Sequence, residues 1–313
     1  MAAATDLAEV IGGALALHLL FGLPLLAGGI IVGIASIALL AISERQTQRH
    51  FEAAVIALLI VITFGFLGGL VMAPPNWGET AEGMIPAFKG SDSVLVAASM
   101  LGATVMPHAI YLHSSLVNDR HGSEHDDQRK WSLIRATRVD VVAALLLAGA
   151  VNVGLLLLAA SALGGVEGTD TIEGAHQAIT AHLGQGVGVI FAIGLLASGL
   201  ASTSVGAYAG SEIMAGLLHI RVPLLARRLV TLIPALLIIG SGAEPTWSLV
   251  VSQVVLSFGI PMALIPLTMS TGNKALMGRY TDGLPLRIAS ILSATIIIIL
   301  NLFLVYLTLT GQD

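Results

Sequence analysis

The 313 residues contain no cysteine, which excludes disulfide frameworks, thiolate metal sites and cysteine nucleophiles. Charge is nearly as scarce. Asp, Glu, Lys and Arg make up 11% of the chain, against roughly 25% in soluble domains. Two enzyme signatures are also missing. No His-Glu-x-x-His pair is available for zinc, and no Gly-x-Ser-x-Gly elbow presents a nucleophile, although Ser198 and Ser202 flank Gly199. The start lacks the basic region of a cleavable signal peptide and carries Asp6 and Glu9 instead. What abounds is apolar: 56% of residues are hydrophobic, and the mean hydropathy is +0.91. The chain reads as an all-α polytopic membrane protein, one transmembrane domain over 1–313, and not as an enzyme. The net charge of −5 says little, because where charge sits matters more than its sum.

A window of about 19 residues gives nine expected spans: 1–22, 24–43, 51–73, 93–117, 139–163, 187–218, 223–240, 246–270 and 285–309. Each is long enough to cross the hydrocarbon. The third and the last, apolar on all sides, read as lipid-facing or bundle helices without special chemistry. The loops after spans two, four, six and eight, with their margins, hold Arg45, Arg49, Arg120, Arg129, Lys130, Arg135, Arg138, Arg221, Arg227, Arg228, Lys274, Arg279 and Arg287. The opposite loops hold only Lys89. The basic side is expected to be cytoplasmic, in a bacterial-type inner membrane, with the C-terminus outside. Segment 118–138 reads as a solvated cytoplasmic loop, with room for a short interfacial helix. Its cluster of His121, Glu124, His125, Asp126 and Asp127 reads as a wet, charge-rich surface before it reads as a metal site.

Residues 101–117 carry the most chemistry. Gly102 weakens a helix and Pro107 breaks one. The carbonyls of Ala103 and Thr104 lose their usual amide partners if the chain unwinds over 103–106. Such oxygens are cation ligands, and Met106 adds a thioether beside them. Soft sulfur suits Mn²⁺, Fe²⁺, Co²⁺ or Cd²⁺ and does nothing for Ca²⁺ or Mg²⁺. On chemistry alone, Met106 serves equally as a core filler and Pro107 as an ordinary kink. His108 and His113 lie about 140° apart on an ideal helix, so they form no chelating pair and suit a proton route or a polar lining. A broken helix at membrane depth beside titratable groups reads as a transport site.

The core Met106-Pro107-His108, within the run from Gly102 to Ser114, resembles the sixth-helix signature of the Nramp family, proton-coupled transporters of Mn²⁺ and Fe²⁺. Ala4-Thr-Asp-Leu-Ala-Glu9 resembles the third helix, Ala197-Ser-Gly-Leu-Ala-Ser202 the eighth and Arg227-Arg228 the opening of the ninth. Ser252-Gln253 with Phe258-Gly-Ile-Pro261 resembles the tenth. The resemblance implies a partial LeuT-like inverted-repeat bundle with its broken helix at 93–117. It implies metal ligands at Ala103 (carbonyl), Met106 (sulfur) and Gln253. It also implies a proton pathway through Asp6, Glu9, His108 and Arg228, and a lining of Thr104, His113 and Asn152. Asp6 and Glu9 share a helix face, yet their place near the chain start alone would favour hydration at the membrane surface. The implied partners are divalent transition-metal ions, protons and the bilayer, with no cofactor and no nucleic acid.

One family element is missing. The Asp-Pro-Gly-Asn motif of the first helix, which supplies an anionic and a polar ligand, occurs nowhere in the sequence. The nine spans then equal eleven minus two. Either Met1 is an internal methionine of a longer protein, or a short chain has lost transport. A dication held by Ala103, Met106 and Gln253 alone has no anionic ligand, so transport is expected to be weak. Missing helices would also expose polar interior to lipid. The alternatives are a non-transporting membrane fragment and an amino-acid carrier of similar architecture.

Overall fold

A computed structural model describes residues 2–45, 74–85, 90–122, 126–218 and 224–310, with scattered residues between 56 and 71. Apolar side chains and the need to satisfy every amide inside lipid dictate helices, and no strand occurs among the described residues. In order they are α1 (Ala2–Phe21), α2 (Leu25–Arg45), α3 (Trp77–Gly83), α4 (Gly90–Thr104), α5 (Pro107–His121), α6 (Asp127–Leu163), α7 (Ile172–Leu183), α8 (Gln185–Leu218), α9 (Leu224–Gly240), α10 (Pro245–Thr271), α11 (Lys274–Met277) and α12 (Leu284–Thr310). A 3₁₀ turn, Gly278–Tyr280, precedes α12.

Among the described residues, five helices are long and apolar enough to cross a membrane: Ala4–Phe21, Asp127–Leu163, Gln185–Thr203, Pro245–Thr271 and Leu284–Leu307. Two further expected spans are shorter apolar helices, Leu25–Ala38 and Arg228–Gly240. The expected broken span is two half-helices, α4 and α5. The span at 51–73 lies for the most part outside the described residues.

The reading of 118–138 as a loop needs correction. α5 runs on to His121, and α6 begins at Asp127, where the Asp126 side chain accepts the Gln128 amide at 3.1 Å. This N-cap starts the helix well before its apolar stretch. The 37 residues of α6 span about 55 Å, longer than the hydrocarbon is thick, so the basic N-terminal turns project beyond it. Asp126 is thus a cap. Among the described residues, no group of three His, Asp or Glu could hold a metal; Glu124 and His125 lie outside them.

The chain forms two compact units. One comprises Met1–Ile11, Ala87–His113 and Thr203–Asp313; the other comprises Gly12–Pro86 and Ser114–Ser202. In the first, α4 packs on α10 and α12. Val94 and Ala98 meet Leu304 and Leu307, with Leu95, Val254 and Leu300 around them. Also in the first unit, Val10 of α1 packs with Leu232 and Ala235 of α9. The second unit is held by close approaches of small residues, as membrane helices require: a methyl on Gly28 would lie 3.0 Å from the Ala14 carbonyl oxygen.

Candidate functional site: a broken helix docked on a polar turn

The half-helix α4 ends where its hydrogen-bond ladder runs out. Val105 still donates to the Leu101 carbonyl at 2.9 Å, then Val105 and Met106 leave the helix. Pro107 restarts it at the first helical position, where a missing N–H costs nothing, and Ala109 donates to the Met106 carbonyl at 3.1 Å. The break is narrower than the sequence suggests: Ala103 and Thr104 remain helical, and only Val105 and Met106 unwind. The Ala103 carbonyl still loses its ladder partner, because the residue four ahead is Pro107. The last carbonyls of α4 also carry the negative end of the helix dipole, which favours a cation there.

Gly102 sets where this end docks. A Cβ built on it would lie 1.8 Å from the Gln253 carbonyl oxygen and 3.0 Å from the Ser257 amide nitrogen. Only glycine lets the backbones of α4 and α10 approach so closely. Gln253 thereby stands beside the break. Its Nε2 donates to Ser252 Oγ at 3.3 Å, and Ser252 Oγ donates onward to the Leu249 carbonyl at 2.7 Å. That arrangement engages the nitrogen of the carboxamide. The buried Oε1 has no hydrogen-bond partner among the described residues. A buried acceptor without a donor is costly in apolar surroundings, and a cation would satisfy it.

Ala103 and the half-buried Met106 follow Gly102, which lies against the Gln253 backbone, and all three expected ligands belong to this one unit. Thr104 is exposed, and its hydroxyl turns back onto the Met100 carbonyl at 2.7 Å. His113 is exposed, and the side chain of His108 lies outside the description. Asn152 belongs to the other unit and is exposed there.

A second polar group lies on α1 and α9 of the same unit. Asp6 and Glu9 are buried, with 5% and 6% of their surface exposed. Surface hydration of this pair, the reading favoured by its place in the chain, is overturned by that burial. Arg228 is 1% exposed, and its Nη1 donates to Asp6 Oδ1. Buried charge persists only when paired, so this ion pair keeps two formal charges within an apolar bundle. Gly206 of α8 faces Glu9; a Cβ there would lie 3.4 Å from Oε1.

Several buried polar groups escaped the sequence analysis, Thr203, Ser257 and Asn301 among them. Thr203, one turn before Gly206, is fully buried, and its hydroxyl has no partner among the described residues. Ser257 of α10 and Asn301 of α12 are 0% and 4% exposed. Ser257 Oγ lies 2.8 Å from both Asn301 Oδ1 and the Val254 carbonyl, which share its one hydrogen, and Asn301 Nδ2 donates to the Ser257 carbonyl at 3.1 Å. The last span therefore does carry polar chemistry, contrary to expectation. The available signal was an asparagine inside a run of isoleucine and leucine, since a polar residue at membrane depth needs a partner.

Known proteins resemble this chain along its length. Residues 1–307 match the family described as natural resistance-associated macrophage protein-like. A divalent metal cation transporter, MntH, of Mycobacterium tuberculosis is 51% identical over 311 residues, covering 99% of this chain and 73% of that protein. The protein of the same name from Bacillus subtilis is 45% identical over 305 residues, covering 96% of this chain and 71% of the relative. Among solved structures, the manganese transporter of Eremococcus coleocola, in complex with an aromatic bis-isothiourea compound, superposes with a TM-score of 0.83. It is 32% identical, over 96% of this chain and 68% of that one.

Proposed function

Because the chain belongs to the Nramp family, we propose that it carries divalent transition-metal ions across a membrane, Mn²⁺ and Fe²⁺ first among them, with protons moving alongside. The observation that carries this reading is the break at Val105–Met106, docked through Gly102 against the turn that leaves Gln253 Oε1 unpartnered. Two oxygens and a thioether then face the ion. The sulfur makes the difference between Mn²⁺ and Ca²⁺, since a hard cation gains nothing from it. The multi-pass chain is oriented with its basic loops in the cytoplasm.

Protons take the route through Asp6, Glu9, His108 and Arg228. The buried Asp6–Arg228 pair supports it, because it keeps an acidic and a basic group in contact within the apolar bundle, beside Glu9 on the same helix. Thr104 and His113 line the passage in this reading. Transport by these 313 residues alone is weak in this reading, because all three metal donors are neutral and a dication sheds water reluctantly for neutral ligands.

The test is Mn²⁺ entry into vesicles carrying the chain, with internal pH followed at the same time and Ca²⁺ as competitor. Mn²⁺ entry should acidify the lumen. Met106→Ala should cut the preference for Mn²⁺ over Ca²⁺ by about tenfold, the equivalent of about 1.4 kcal/mol. An unchanged preference removes the sulfur from the mechanism, and Mn²⁺ entry without acidification removes proton coupling.

A further inference from the structure

We infer that Asn301 is a positioning residue for the cation site: it holds α10 in the register that presents Gln253 to the broken end of α4. The inference rests on the transport reading above and extends it to a residue that reaches no ion.

Pro261 sits inside α10. Proline has no amide hydrogen, so the carbonyl four residues earlier, that of Ser257, loses its ladder donor. An orphaned carbonyl in a membrane helix must find another partner. Asn301 Nδ2 supplies one at 3.1 Å, and Asn301 Oδ1 lies 2.8 Å from the Ser257 hydroxyl, whose hydrogen it shares with the Val254 carbonyl. One carboxamide thus grips a single residue of the neighbouring helix at two atoms. Two bonds to one residue fix rotation as well as height. Both partners are buried, so water cannot replace either bond.

Ser257 also faces the other way. Its amide nitrogen lies where a Cβ on Gly102 would come within 3.0 Å. The same turn of α10 is therefore held by α12 on one side and approached by the backbone of α4 on the other. Gln253 lies one turn earlier on that helix. A change in the rotation of α10 at Ser257 moves Gln253 Oε1 relative to Ala103 and Met106, and a cation site loses affinity when its ligands are displaced. The surrounding contacts of Val94, Ala98, Leu304 and Leu307 are apolar and slide easily. Among the described residues, the Ser257–Asn301 pair is the directional link between α10 and α12.

The experiment uses the purified 313-residue chain in detergent, titrated with Cd²⁺ by calorimetry, as unsubstituted protein, Asn301→Leu and Ser257→Ala. Asn301→Leu keeps the branched shape in a somewhat bulkier side chain and deletes both bonds; Ser257→Ala deletes only the hydroxyl bond. Cd²⁺ should bind about tenfold more weakly to Asn301→Leu, the loss usual for residues that orient ligands, and by a smaller factor to Ser257→Ala. A second readout needs no metal. The sequence has no cysteine, so Ala98→Cys with Val254→Cys reports the α4–α10 register by oxidative cross-linking. The cross-link should form more slowly when Asn301→Leu is added. Equal Cd²⁺ affinity in a folded Asn301→Leu protein overturns the positioning role and leaves the transport reading intact. If Asn301→Leu does not fold, Ser257→Ala decides by the same criterion. If the unsubstituted chain binds no Cd²⁺, the transport reading fails, and the cross-linking rate alone judges Asn301.

Discussion

Pro107 and Pro261 each delete one amide from a membrane helix, yet the chain breaks at the first and runs through the second. Pro234 and Pro266 are also carried inside unbroken helices, so proline alone does not decide the outcome. Two things differ around Pro107. The preceding turn contains Gly102, a poor helix former, whose bare backbone lies against the Gln253 carbonyl. The carbonyl that Pro107 frees, that of Ala103, belongs to the last turn before an unwound stretch. At Pro261 the freed carbonyl is that of Ser257, and Asn301 takes it at 3.1 Å. At Pro261 a neighbouring side chain receives the freed oxygen and the helix stays whole; at Pro107 the helix ends and the oxygen is offered to another partner.

The strongest way to break this contrast is Gly102→Ala. The added methyl would meet a backbone oxygen at 1.8 Å, not the flexible tip of a side chain. α4 and α10 must separate, at a cost of about 3 kcal/mol, near the upper end for overpacking. Metal uptake should be lost, and the melting temperature in detergent should fall. An unchanged melting temperature would mean that the two helices are not held at this spacing.

Pro107→Ala acts on the break itself. Alanine supplies the missing amide to Ala103 and removes a clash, a swing of about 3 kcal/mol in helix preference. The two half-helices should tend to join. Mn²⁺ uptake should fall by about tenfold, the equivalent of about 1.4 kcal/mol, while thermal stability holds or rises. Opposite signs for activity and stability mark strain kept for function. Loss of both together would assign Pro107 an ordinary packing role instead.

Much of this contrast was legible from residue order. Gly102, Met106 and Pro107 identify the break because proline and glycine act locally, whatever lies around them. Composition identifies the membrane helices for the same reason. The exact width of the break was not legible: Val105 still donates to Leu101 and the Thr104 hydroxyl to Met100, local bonds that the residues Gly102 and Pro107 do not by themselves decide. Asn301 was missed because its partner is 44 residues away, and hydropathy averages one asparagine into an apolar window. Asp6 was ambiguous by itself; its burial depends on Arg228, 222 residues further on. The length of α6 was missed because the cap at Asp126 lies in a polar segment that composition assigns to solvent.

The smallest expected effect is the most discriminating. Pro261→Ala returns an amide to the Ser257 carbonyl, which already accepts from Asn301 Nδ2. A carbonyl has two lone pairs and accommodates both donors. Stability should change by no more than about 1 kcal/mol, because regained helix preference is offset by the greater freedom of the unfolded chain. Uptake should stay within about twofold, about 0.4 kcal/mol. The sharper result comes from the pair. Asn301→Leu strands the Ser257 carbonyl only while residue 261 is proline. In the Pro261→Ala background that oxygen keeps a partner, so Asn301→Leu should cost at least about 1 kcal/mol less than it does alone. Additive effects in this double-mutant cycle would mean that Asn301 does not receive the oxygen freed by Pro261. The contrast between the two prolines would then rest on Gly102 alone.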